Sequence, residues 1–153
     1  AIELLRERNH DVKIIFTVSP IRYAKYGYHE SQLSKATLLL AVREVMADHT
    51  DSNVAYFPAY EIVNDELRDY RFYKADMLHP NEQAVEYIWE RLVDVYFSAS
   101  AKEFLREWKP VKEALAHRPF NPESSEYKDF VVRTMERAKL LAQKYNGLTV
   151  ENQ

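Results

Sequence analysis

No cysteine occurs in the 153 residues, and glycine occurs only at Gly27 and Gly147. The first absence excludes disulfides, thiolate metal ligands and a cysteine nucleophile within the chain. Average usage of about 7% would place roughly eleven glycines here. Their scarcity excludes a phosphate-cradling P-loop, a dinucleotide fingerprint and a G-x-S-x-G nucleophile elbow, each of which needs glycines at fixed spacing. Long apolar runs are missing too: nothing approaches the roughly 18 uninterrupted residues of a membrane span. Nor does charge of one sign dominate, with 21 Lys and Arg against 24 Asp and Glu and a pI near 6.0. The 11 Tyr are spread along the chain rather than interleaved with a basic stripe. Neither nucleic acid nor a membrane is an expected partner.

What is present describes a globular domain: 46% hydrophobic, 29% charged and 13% aromatic residues in 18.1 kDa, enough for one real core. Ala1 to Arg8 reads as the last turns of a helix, with no Met, no signal-peptide core and no cap before it. The chain is therefore expected to begin mid-domain. With no export signal visible, the expected compartment is the cytoplasm.

Val12 to Val18 is a β-branched run closed by Ser19-Pro20, which suits a strand buried on both faces. Residues 21–31 read as a loop, and Gln32 to Asp48, apolar almost all round, as a buried helix. A second strand at Val54 to Phe57 is halted by Pro58. Strand, loop, helix, strand predicts parallel neighbours in an α/β sheet, and two strands alone make a poor one, so further strands are expected before Ala1. From Asn81 the apolar positions follow the helical period, with Pro80 at the first helical position. Ser100-x-x-Glu103 predicts a capped helix through Trp108, Pro110 a restart to about His117, and Asn121-Pro122 the cap of a long helix ended by Gly147. Residues 1–98 are thus expected to form an α/β core and 99–153 a helical extension. The extension carries apolar stripes at Phe104, Leu105 and Trp108 and along Tyr127, Phe130, Val131, Leu141 and Tyr145. These are expected to bury on the outer face of the core, across a homodimer seam, or over the His79 edge.

The step Asp76-x-x-His79-Pro80 is the strongest candidate for chemistry. A carboxylate three residues upstream holds the Nδ1 proton of an imidazole and leaves Nε2 to accept a proton from a nucleophile. The same residues also fit a plainer reading, with His79 as the cap of the helix after it. Sites in open α/β sheets gather beyond the carboxyl ends of strands, where Ser19 and the 58–79 loop both fall. Ser19 before Pro20 reads as a turn former before a nucleophile. Arg68 and Arg71 either bind an anionic substrate group or pair with Glu61, Asp65 or Asp69. His29 and His49 lack ligand partners at metal spacing, so no metal and no cofactor is expected.

Four segments, "TVSPIR", "SQLSKATLLLAV", "YFPAYEIVNDELRDYRFYKADMLHP" and "HRPFNPES", together resemble the GSCFA family, bacterial proteins grouped with the SGNH (GDSL-like) hydrolases. The resemblance implies a three-layer α/β/α sandwich with a parallel sheet and a Ser- or Cys-centred ester hydrolase site. Asp76 and His79 match that site's Asp-x-x-His. Its nucleophile and its oxyanion-hole Gly and Asn are unmatched, so the chain resembles the C-terminal part. Where the family reads Ser-Pro-x-Arg-His, Tyr23 follows Arg22, and a phenol is no imidazole base at neutral pH. The expected function is hydrolysis of a small-molecule ester. Asp76 and His79 are its catalytic residues, and Ser19, Arg22, Arg68 and Arg71 line the substrate. The alternative is a non-catalytic binding or assembly module on the same fold.

Overall fold

A computed structural model describes residues 1–49 and 53–145. It is a mixed α/β protein, mostly helical, with two compact units, Ala1–Asp94 and a second from Val95. Among the described residues no helix is long and apolar enough to cross a membrane.

The first unit opens with α1 (Ile2–Arg8) and β1 (Ile14–Thr17). After α2 (Tyr28–Asp48), β2 (Val54–Phe57) pairs with β1 in parallel, Ile14 opposite Val54 and Thr17 opposite Phe57. β-branched and aromatic residues, which favour strands, make up all of β1 and all of β2 but Ala55. Burial on both faces of β1 is not what is found: the strand alternates half-buried and exposed, and Ile15 is 42% exposed. Among the described residues the sheet has these two strands.

Residues 28–31 belong to α2 rather than to a loop, because Gly27, at φ 91°, turns the chain directly into the helix. Nor is α2 buried all round. Leu33, Leu38 and Leu40 are exposed, and its buried side chains are Ser31 and Lys35. Those two polar groups fasten the loop beyond β1: Lys35 Nζ donates to Ser19 O at 2.6 Å, and Ser31 Oγ accepts from Tyr23 N at 3.1 Å. Burial lowers the Lys35 pKa.

After β2, α3 (Ala59–Glu61) runs into a π-helix, Ile62–Leu67, and a 3₁₀ turn at Tyr70–Phe72 precedes α4 (Glu82–Tyr96). Val18, Val54, Phe57, Ala59, Ile62, Val63, Phe72 and Ala84 are the buried apolar residues here. Asn81, not Pro80 or His79, caps α4, its Oδ1 accepting from Ala84 N at 3.0 Å.

In the second unit α5 (Ala99–Ala116) and α6 (Ser125–Lys144) form a hairpin around Val111, Ala138 and Leu141, with Trp108 and Tyr145 packed on them. Ser98 and Ser124 are the caps, replacing the expected Ser100 and Asn121. Pro110 lies inside α5 instead of restarting it. An internal proline costs about 3 kcal/mol. Full burial of Val111 contributes about 1.5–3 kcal/mol, and Trp108 adds to it. Stripe residues satisfy one another within this unit: Phe104 meets Trp108 and Tyr145, and Tyr127 and Phe130 gather with His117. Lys144 joins Glu103 at 2.9 Å and Glu107 at 2.8 Å across the hairpin. These bonds raise the lysine pKa and lower that of Glu107. Gly147 lies outside the described residues.

Candidate functional site

The segment between the 3₁₀ turn and α4 folds back on itself. Tyr73 and Pro80 form an antiparallel bridge, Lys74 N donates to His79 O at 2.7 Å, and Met77 N donates to Lys74 O at 2.9 Å. Asp76 sits at the tip. Its Oδ1 accepts from Leu78 N at 2.8 Å and His79 N at 3.0 Å, while Oδ2 lies 2.6 Å from His79 Nδ1. An aspartate that bonds backbone two and three residues on is the chemistry of an Asx turn. It holds Met77 at φ 60°, a region that a non-glycine residue enters only when its surroundings compel it. Below the tip Asn81 ties the base, its N donating to Phe72 O at 2.8 Å and its Nδ2 to Arg71 O at 2.6 Å.

This hydrogen bonding lowers the Asp76 pKa to about 2, through the His79 N–H first, then the Leu78 N–H, then the imidazole. The folded value lies below the unfolded aspartate's roughly 3.9. Its contribution to stability is therefore present above about pH 4 and is lost as pH falls towards 2. A carboxyl-carbon NMR titration should give Asp76 a midpoint near 2. A midpoint near 4 would mean that the turn is open in solution.

Arg22 clamps the turn from the β1 side. Its backbone N donates to Leu78 O at 3.0 Å and its Nη1 to Met77 O at 3.1 Å. The guanidinium lies 4.4 Å from the Tyr28 ring centroid, 5.7 Å from Tyr70 and 5.9 Å from Tyr73, a cation–π cage that fixes the side chain. Ser19 and His79 line one open, mainly apolar cleft of about 440 Å³, with Ile21, Pro80, Val85 and Ile88 among its walls. The Ser19 hydroxyl is a turn former there, accepting from Ile21 N at 3.3 Å.

The two loop arginines part company. Arg71 is tied to Asp69, its N donating to Oδ1 at 2.8 Å and its Nε 4.0 Å from Oδ2, and it covers the Phe72 ring. Arg68, at φ 47°, lines a second, polar cavity of about 320 Å³ that Arg22 also lines. Glu61 accepts from Tyr56 instead of pairing with either arginine, at 2.9 and 2.8 Å, and with burial raises the phenol pKa.

Sequence reasoning missed Lys35, Asn81 and the tyrosine cage. Asn81 had a visible signal, an asparagine three residues before Ala84 at the head of a periodic run. Lys35 had none, since a lysine in an apolar run reads as an exposed face until its partner, Ser19 O, is known.

Residues 1–92 match the family model described as "GSCFA family", and residues 108–153 match "GSCFA domain protein, C-terminal domain". No curated protein and no solved structure matches. The first match spans more than half of the chain and contains the whole Asp76–His79 turn with its Arg22 clamp: the chain belongs to the GSCFA family.

Proposed function

We propose that Asp76 and His79 are the acid–base pair of an SGNH-like hydrolase acting on a small-molecule ester. The observation that carries the reading is the 2.6 Å contact between Asp76 Oδ2 and His79 Nδ1, with the imidazole at the wall of an apolar cleft. An ionised Asp76 holds the proton on Nδ1, which leaves Nε2 as the basic nitrogen. Nε2 removes the proton of a hydroxyl or thiol nucleophile as that atom bonds to the ester carbonyl carbon. The resulting imidazolium, stabilised by Asp76, returns the proton to the departing alkoxide. Water then repeats the sequence on the acyl intermediate and releases the acid.

In this reading the nucleophile lies outside the residues described. The chain has no cysteine, and among the described residues no serine hydroxyl is hydrogen-bonded to His79. In this reading a further part of a three-layer sandwich supplies it. Both members of the pair are half-exposed, 52% for His79 and 44% for Asp76, so their contact orients the ring more than it stabilises the fold.

This chain alone is accordingly expected to leave 4-nitrophenyl acetate unhydrolysed above the buffer rate, since losing a nucleophile costs several powers of ten. Turnover abolished by Ser19→Ala would make Ser19 the nucleophile and overturn the proposal in this form.

A further inference from the structure

The polar cavity beside the turn is a built feature that the acid–base chemistry leaves unused. It is lined by Arg22, Gln32, Asn64, Arg68, Asp69 and Tyr70, with Tyr73 and Val63 completing the wall. Its charge is positive. Two arginines stand against one aspartate in the lining; Asp69 has the Arg71 Nε at 4.0 Å, whereas the Arg68 side chain has no hydrogen-bond or ion-pair partner among the described residues. Arg22 spends one guanidinium N–H on Met77 O, and a guanidinium carries five. Gln32 accepts from Tyr60 through Oε1 at 3.0 Å, so its amide N–H groups remain as donors.

The backbone reinforces this. The element leading into the cavity is a π-helix, a rare form that recurs at functional sites. It ends with Arg68 in the left-handed region, its N–H closing on Val63 O at 3.0 Å. That bond satisfies the carbonyl of Val63, a residue of the cavity wall. A glycine would sit in this conformation without strain; an arginine is held there at a cost. On one side of the cavity the Arg22 guanidinium is caged by tyrosine rings, and on the other the Arg68 guanidinium is left to bond a ligand. Two forked cations facing a polar pocket fit the planar, bidentate geometry of an oxyanion.

We infer that this cavity is a binding subsite for a small oxyanion, the carboxylate or phosphate group of a ligand, with Arg22 as the fixed donor and Arg68 as the closing one. Binding itself stands apart from the hydrolase reading. That the group belongs to the ester substrate rests on that reading, since Arg22 also holds the turn carrying His79.

The test is an NMR titration of this chain with acetate and, separately, inorganic phosphate, at constant ionic strength with sodium chloride as the balancing salt. Saturable shifts are expected at Arg68, Tyr70 and Tyr73, and the tighter of the two anions names the group. Arg68→Gly removes the guanidinium and suits the backbone conformation, so it is expected to keep or raise the melting temperature while weakening binding at least tenfold. Shifts that grow linearly without saturating, or saturation unchanged in Arg68→Gly, would overturn the inference. Because the readout is binding, a failure here is distinct from an absence of esterase activity.

Discussion

Where the proposed ester hydrolysis is measured, His79→Ala is expected to lower kcat on acyl esters by at least about a hundredfold, the low end for a general base. A drop nearer ten-thousandfold would match loss of a triad member. The reason lies in the turn. Asp76 bonds two backbone N–H groups and the imidazole together, so removing the ring deletes the base and leaves the loop with its Asx bonds. The variant should keep its fold, and KM should change far less than kcat. Unchanged activity would end the mechanism drawn here and leave the binding or assembly module as the better account of the fold.

Val111→Asp is expected to abolish cooperative melting of the helical hairpin. Val111 is 1% exposed, in the core with Ala138 and Leu141. Losing its burial costs about 1.5–3 kcal/mol, and a carboxyl left in that core without a partner adds roughly 1–3 kcal/mol even when it is protonated. That sum is comparable to the whole stability of a unit this size, at roughly 0.05–0.15 kcal/mol per residue. Val132→Asp is the control, on a residue 56% exposed, where a surface change stays within about 0.5 kcal/mol. Equal helicity loss by circular dichroism in both variants would show that the hairpin is not packed on the Val111 side.

Both strands, the parallel pairing and the Asp76–His79 contact were legible because each depends on neighbours in sequence or on a strong rule of chain connection. The β-branched run to Thr17 and the Pro58 stop mark the strands, and a carboxylate three residues before a histidine has little choice of partner once the turn forms. What was not legible depends on distant partners. The apolar pattern of α2 concealed that its inward positions are Ser31 and Lys35, chosen for Tyr23 N and Ser19 O. Pro110 reads as a break from local rules, yet the packing of Val111 and Trp108 carries α5 through it. The alternation of acids and bases from Glu61 to Arg71 left every pairing open. Only the left-handed Arg68 separates the arginine tied to Asp69 from the one that faces a cavity.

The spacing of contacts around the turn also orders its assembly in time. The bonds of Asp76 to Leu78 and His79 span two and three residues, and closures of that length form within microseconds. Pairing β1 with β2 must wait for the chain from 18 to 53 to be gathered in, a closure costing roughly 3 kcal/mol before any strand contact repays it, and parallel pairing is slow for that reason. Arg22 reaches Met77 across 55 positions of sequence, so its clamp closes only with the tertiary fold. A refolding chain therefore passes through states in which aspartate and imidazole are already joined but are not yet aimed at anything.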